Sequence, residues 1–376
     1  MRQLARAYLE QVIVAFGVMS QSSSDRARLL LGRIGGFLRQ DGNYRLGEEV
    51  LTKALEIATT LNGVEDLDTI SLTAELALAQ WYQGNWHDAQ RLQVRVVEQM
   101  ENLFGEKHPD TLRVMGNLAI AYRDQGKWED AQRMQEKVLV GLTNLLGQEH
   151  ILTLRAMRNL AVTYGNQGKW EDEQALEEST LELMERLFGQ EHEETLYLMG
   201  SLATTYHLRG KWEEAQWLQE RVLEVSENLF GREHPSTLIT MENLAITYLD
   251  QGKFNEAAQK LQERVLELRV QLFGQDHPGT LIATSNLAVT YFKKGNLKDA
   301  QMLEERVLEL RVKLFGPEHP NTLFTMTNLA VIYRGIGLIS RSIELLEDAT
   351  QKQTRILGPN HPKTLRAKSE LANSEG

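Results

Sequence analysis

The sequence predicts an all-α protein, an α-solenoid of stacked antiparallel helix hairpins, and three observations lead there. A glycine closes a Leu-Phe-Gly motif or a variant of it about every 42 residues, at Gly63, Gly105, Gly147, Gly189, Gly231, Gly274, Gly316 and Gly358. A second glycine marks the middle of each unit, at Gly42, Gly84, Gly126, Gly168, Gly210, Gly252, Gly295 and Gly337. Between these glycines apolar residues recur at helical spacings. Because such units bury their faces only against their neighbours, the array is expected to grow in one dimension.

The chain divides into three parts in order. Residues 1–25 are predicted to form an unpaired amphipathic helix and a Ser-rich linker, since Arg6 and Glu10 interrupt the apolar stretch at helical spacing and no signal-peptide cleavage site follows. Residues 26–358 hold eight tandem repeats. Residues 359–376 are predicted to be a polar capping helix and tail, as the end of a solenoid requires.

Each repeat is predicted to contain helix A, a tight turn, helix B and a short loop. The segment HPSTLITMENLAITYLDQ carries Leu238, Met241 and Ala245 on one helical face, and WEEAQWLQERVLEVSENLF has the same periodicity. Gly252 and Gly231 follow these two segments and are predicted to be left-handed caps. The turn between the helices is only a few residues long, so helices A and B must be antiparallel.

Small residues are expected to let the helices approach closely. They recur on helix A at Ala77, Ala119, Ala161, Ala203, Ala245, Ala288 and Ala330, and on helix B at Ala89, Ala131, Ala215, Ala257 and Ala300. Glu173 replaces the small residue of helix B in one repeat, and looser packing is expected there.

Two features depart from simple repetition. One repeat has an extra residue between Gly252 and Gly274, which helix B could absorb as a π-bulge or as a tolerated slip. Aromatic residues begin several B helices and are predicted to wedge between hairpins in the core, at Trp86, Trp128, Trp170, Trp212 and Phe254. Trp217 falls outside this series and is either a surface anchor or a packing residue.

Composition excludes several classes of function. Lys and Arg number 41 and Asp and Glu 52, which gives a net charge of −11, so neither nucleic acid nor an anionic membrane is an expected partner. The absence of cysteine removes disulfides, thiolate catalysis and Cys-ligated zinc, and it suits a reducing, cytoplasmic location. No apolar run approaches the roughly 20 residues that span a bilayer.

No catalytic or metal motif is present in the sequence. The phosphate-binding pattern G-x-x-x-x-G-K-[ST] does not occur. Seven histidines recur once per repeat, at His108, His150, His192, His234, His277, His319 and His361. Stacked helices lie roughly 8–10 Å apart, too far for neighbouring imidazoles to share one ion, so these histidines are predicted to start helices. We therefore expect a non-enzyme without cofactor or metal.

The repeat pattern H-P-x-T-L-x-x-x-x-N-L-A-x-x-Y-x-x-Q-G-K-W-x-x-A resembles the tetratricopeptide repeat in its 42-residue form. That form is found in kinesin light chains and in the repeat arrays of NB-ARC and NACHT signalling proteins. The resemblance covers about residues 26–372 and implies a right-handed superhelix whose A helices line a concave groove. The implied function is a non-catalytic scaffold that binds an extended peptide or partner segment. The alternatives are the sensor array of a signalling ATPase or a cargo adaptor similar to kinesin light chains.

The resemblance also implies which residues bind. An Asn five positions before the helix-A Tyr contacts the ligand backbone in such groups, and it matches Asn117, Asn159, Asn243, Asn286 and Asn328 here. An amide can both donate to and accept from a peptide group. The alternative is that these side chains bond between adjacent helices. On the same face, a basic patch against one nearby acid, Asp124, predicts acidic or phosphorylated partner segments, through Arg113, Arg123, Arg155 and Arg158.

Overall fold

The computed structural model describes residues 25–40, 42–252 and 255–375, and these form seventeen α-helices with no β-strand among them. The helix and linker predicted for residues 1–25 lie outside the described residues apart from Asp25. The array divides into two compact units, residues up to Leu145 and residues from Leu146. None of the helices in the described ranges is both long and apolar enough to cross a bilayer.

Helices of two lengths alternate along the chain, so the odd-numbered ones are helix A and the even-numbered ones helix B. The A helices are α1 Asp25–Gln40, α3 Leu67–Tyr82, α5 Pro109–Asp124, α7 Ile151–Asn166, α9 Glu193–Leu208, α11 Pro235–Gln251, α13 Pro278–Lys293, α15 Pro320–Gly335 and α17 Pro362–Glu375. The B helices are α2 Tyr44–Asn62, α4 Trp86–Phe104, α6 Trp128–Leu146, α8 Trp170–Phe188, α10 Trp212–Phe230, α12 Asn255–Phe273, α14 Leu297–Phe315 and α16 Ile339–Leu357. Within the second unit, each A helix from α9 to α15 contacts the next A helix.

The repeated histidine begins helix A, as predicted. In His234 the ring Nδ1 accepts a hydrogen bond from the backbone N–H of Ser236 at 3.3 Å, so the side chain satisfies an amide that has no partner inside the helix. The imidazole also packs on the last aromatic residue of the preceding B helix, and the Phe230 and His234 ring centroids are 4.8 Å apart. The other six repeated histidines make the same bond to the amide two residues on, at 3.1–3.2 Å.

The repeated glycines lie where no other residue fits without strain. Gly252 has φ 69° and ψ −4°, which confirms the predicted left-handed cap. Gly231 differs from the prediction, since its φ of 84° is combined with ψ of 166°. That region of backbone space is essentially restricted to glycine. The loop after helix B therefore depends on glycine more strictly than a left-handed cap would.

The predicted small residues lie at the helix contacts. All seven helix-A alanines and Ala89, Ala131, Ala215 and Ala300 of helix B are completely buried. Glu173 is also buried, although it is larger, because Gly165 of α7 lies opposite it. A Cβ placed on Gly165 would lie 2.2 Å from the Glu173 carboxylate, so the glycine leaves the space that the glutamate fills. The structure thus shows a compensated pair rather than the looser packing expected there.

The extra residue near Gly252 is not inside helix B. Helix α12 has 19 residues, as do α10 and α14, and it is α-helical throughout. The insertion therefore lies in the turn before α12, which corrects the proposed π-bulge. As a result Ala258, not Ala257, takes the buried small position of this helix. Phe254 lies outside the described residues.

The tryptophans at the start of the B helices are not core wedges, which corrects the prediction. Trp170 and Trp212 are about 40% exposed, while Trp86 is half-buried and stacks on Trp81 with a centroid distance of 5.2 Å. Their position at the first residue of helix B places them at the end of each hairpin. The core lies further along the helices, in residues such as Leu218 and Val222.

Candidate functional site

The asparagines singled out from the sequence lie on helix A, but their environments differ. Asn117 in the first unit is exposed, and Asn159, Asn243 and Asn286 in the second unit are half-buried. No side-chain hydrogen bond joins these four amides to another described residue. Their donors and acceptors are therefore available to a ligand.

Asn328 has a structural role instead. It is 7% exposed and its Oδ1 accepts a hydrogen bond from Arg366 Nη2 at 2.9 Å. This bond joins α15 to α17, so the alternative that the sequence left open applies at this position. Ser201 stands at the corresponding place in α9 and bonds inward in the same way, donating to Glu177 at 2.6 Å.

The four arginines of the predicted basic patch all have acidic partners within their own unit. In the first unit, Arg113 pairs with Asp110 at 3.4 Å, and Arg123 with Asp124 at 3.0 Å. The sequence prediction counted only Asp124, and Asp110 is the partner that it missed here.

In the second unit, Arg155 and Arg158 converge on Glu194 of α9. The Arg158 Nη1 to Glu194 Oε2 distance is 3.4 Å, and the Arg158 guanidinium also stacks on Tyr197, 4.3 Å from its ring centroid. An anionic ligand would have to compete with Glu194. The patch is consequently less positive than the sequence suggested.

Polar contacts between neighbouring repeats recur at a spacing of 28 residues, and the sequence reading missed them. Each helix-A tyrosine from Tyr206 on donates its hydroxyl to a glutamate of the preceding B helix. The pairs are Tyr206 with Glu178 at 2.9 Å, Tyr248 with Glu220 at 2.7 Å, Tyr291 with Glu263 at 3.1 Å and Tyr333 with Glu305 at 2.9 Å. Burial and these carboxylates raise the pKa of Tyr206 to about 12, so it remains a donor at neutral pH. A Tyr that follows a Glu by 28 residues in successive repeats would have been the signal.

Two buried carboxylates have strongly raised pKa values. Burial raises the pKa of Glu304 to about 7, and burial together with the nearby Glu177 raises that of Glu173 to about 7. Such values occur in general acids and bases. Glu304, however, is fully buried and Glu173 is 6% exposed, so a substrate could reach neither without an opening of the hairpins. We interpret both as structural residues.

Metal binding has no geometric support in the described residues. No group of three or more His, Asp or Glu side chains there is arranged to hold a metal ion. The repeated histidines use Nδ1 to accept backbone N–H groups, which withdraws one ring nitrogen of each from coordination.

Comparison with known families decides the identity of the array. Two family models, both described as tetratricopeptide repeat, match most of the chain, at residues 25–93, 68–139, 124–186, 193–263, 255–311 and 322–363. The chain belongs to the tetratricopeptide repeat family. Tetratricopeptide repeats are typically non-catalytic, and this array is consistent with a protein-interaction scaffold.

Solved structures similar to this tetratricopeptide repeat protein include repeats of both types named in the sequence analysis. A Podosopora anserina protein described as a kinesin light chain with nearly identical TPR-like repeats is 29% identical, over 55% of this chain and 97% of that one, with a TM-score of 0.47. A signal transduction ATPase with a tetratricopeptide repeat sensor, from Pyrococcus horikoshii, is 14% identical over 90% of this chain and 51% of that one, with a TM-score of 0.49.

A Rap protein complexed with competence and sporulation factor has the same kind of fold. It is 10% identical, over 94% of this chain and 98% of that one, with a TM-score of 0.52. No curated protein matches the chain.

Proposed function

We propose that the chain is a non-catalytic scaffold that binds an extended segment of a partner protein along the A helices of its second unit. The observation that carries the proposal is the pair Asn243 and Asn286. These amides lie at the same repeat position of α11 and α13, two A helices in contact, and make no side-chain hydrogen bond to a described residue. An Asn amide matches the donor and acceptor of a peptide group without reading its side chain.

The spacing of the helices sets the periodicity of the bound segment. Packed helices lie roughly 8–10 Å apart, and an extended chain advances about 3.3 Å per residue. Neighbouring asparagines would therefore bind peptide groups about three residues apart. The Rap protein, with a similar fold, is the precedent for an array of this kind in complex with a factor.

The test uses peptides selected from a random display library for binding to the intact protein. We expect the double variant Asn243→Ala, Asn286→Ala to weaken them roughly 5- to 150-fold, because each lost uncharged hydrogen bond costs about 0.5–1.5 kcal/mol. The matched control is Asn228→Ala, an exposed asparagine of α10 in the same unit. Methylation of single peptide nitrogens should weaken binding with a period of about three residues. Peptides that keep full affinity for the double variant would refute the proposal.

A preference for acidic or phosphorylated segments is a separate part of the proposal. It rests on the guanidinium groups of Arg155 and Arg158, which an anionic side chain would have to take from Glu194. The double variant Arg155→Glu, Arg158→Glu should then reduce affinity for phosphorylated peptides more than for their unphosphorylated forms. An equal effect on both forms would remove this preference and leave the backbone-binding proposal intact.

A further inference from the structure

A second surface of the second unit has the form of a binding groove, on the B-helix side. It has a volume of about 790 Å³ and lies between α8 and α10, with α9 beneath it. Its floor is apolar and includes Leu181, Met199 and Leu202. Trp217 of α10 lines the groove and is 63% exposed. We call this surface the Trp217 groove. An exposed indole beside an apolar floor is typical of an interaction site.

The rim of the Trp217 groove is strongly acidic. The acidic lining residues come from both flanking B helices, and they are Glu178, Glu182, Glu185, Glu213 and Glu214. Arg221 is the single basic lining residue, and it donates a hydrogen bond to Gln190 rather than to a carboxylate. Among the described residues, no ion pair neutralises Glu178, Glu182, Glu185 or Glu214. The groove therefore presents negative charge around an aromatic face.

The next groove along the same side provides an internal comparison. It lies between α10 and α12, has a volume of about 620 Å³ and lines its walls with equivalent residues, including Glu224 and Tyr248. There Lys260 stands at the position of Trp217, and Ala257 at that of Glu214. The second groove thus contains its own cation and lacks the indole. In the Trp217 groove the positive charge has to come from the occupant.

We propose that the Trp217 groove binds an arginine-bearing segment of a partner protein. The planar guanidinium stacks on the exposed indole face while the surrounding glutamates accept its N–H groups. The aliphatic part of the arginine side chain covers the apolar floor. A second copy of this chain is a poor match, because its net charge is −11. The site lies on the B helices, so it is separate from the helix-A surface proposed above.

The test measures binding of a fluorescein-labelled peptide with alternating arginine and alanine to the full chain by anisotropy. Trp217→Ala should weaken binding roughly 2- to 30-fold, the range expected from the loss of a cation–π contact. The double variant Glu182→Gln, Glu214→Gln should also weaken it. The same peptide with citrulline in place of arginine should not bind. Met302→Ala is the matched control, because Met302 is 62% exposed at the equivalent position of α14.

Several results would overturn the proposal. If Trp217→Ala binds as the wild type does, or if Met302→Ala loses as much affinity, the peptide is held only by the general negative charge of the protein. If spermine displaces the peptide at the same concentration as the unlabelled peptide, the occupant is a small polyamine. If added unlabelled protein sequesters the groove through Trp217, the occupant is a second copy. The double variant Asn243→Ala, Asn286→Ala should leave this binding unchanged, which separates the two proposals.

Discussion

Glu304 should make the protein less stable as the pH rises above 5, and the substitution Glu304→Gln should remove this effect. The side chain is fully buried in α14, and Ser285 donates a hydrogen bond to its Oε1 at 2.9 Å. Burial raises the pKa of Glu304 from 4.5 to about 7, because the Ser285 bond and the positive charge of Arg311 offset only part of the cost of burying a carboxylate.

The sign and size follow from proton linkage. Between pH 4.5 and 7 the folded chain holds a proton on Glu304 that the unfolded chain has released, so the free energy of unfolding falls as the pH rises. The two pKa values differ by about 2.5, and each unit corresponds to about 1.4 kcal/mol, which gives a loss of about 3 kcal/mol by pH 8. Glutamine resembles the protonated carboxyl in shape and stays neutral. Glu304→Gln should therefore stabilise the protein by up to about 3 kcal/mol at pH 8 and have little effect at pH 4.5.

Hydrogen exchange of the amides of α13 to α15 is the suitable measurement, because repeat arrays need not unfold in one step. Glu344→Gln is the control, since Glu344 is an exposed glutamate of the neighbouring α16. If Glu304→Gln lowers protection at pH 8, the ionised carboxylate must stabilise the fold through Arg311, and the reasoning from burial is wrong.

Three further predictions concern stability and can be checked by chemical denaturation with circular dichroism. Gly231→Ala should cost about 1–3 kcal/mol because of its positive φ, whereas Gly200→Ala, in an open helical position of α9, should stabilise by about 0.5–1 kcal/mol; equal effects would contradict the argument. Gly165→Ala should destabilise by about 1–3 kcal/mol in the wild type and much less when Glu173 is also replaced by Ala, and additive costs would show that the two residues are not coupled. Glu242→Ala should cost about 3–5 kcal/mol because it leaves Arg269, which pairs with it at 2.7 Å, charged and buried, whereas Glu309→Ala at an exposed pair should cost less than about 1 kcal/mol.

The sequence predicted what is local to one repeat. Helix starts, turns and buried alanines follow from residues a few positions apart, such as His234 and its amide partner at Ser236, so periodicity was sufficient. Contacts between repeats were harder to predict. Glu194 neutralises Arg155 from 39 residues away, and Arg366 occupies Asn328 from 38 residues away, because stacking rather than sequence proximity brings them together.

Exposure was the other source of error. Periodicity predicts which side of a helix is apolar, but it does not predict whether a neighbouring helix covers the first residue of that side. Trp170 and Trp212 begin their helices beyond the covered part and remain partly exposed. The raised pKa of Glu304 likewise depends on burial from several helices, which a single repeat cannot show.

The fit between Gly165 and Glu173 restricts how this array could have diverged. Both residues belong to one hairpin, α7 and α8, so duplication of the whole hairpin would carry a compatible pair. Substitution one residue at a time is directional. Glu173 can shorten to alanine first and leave only a cavity, but a larger residue at position 165 would meet the carboxylate while Glu173 is still present. The order of mutations therefore matters here, and an averaged repeat sequence that changed position 165 alone would not be tolerated in this hairpin.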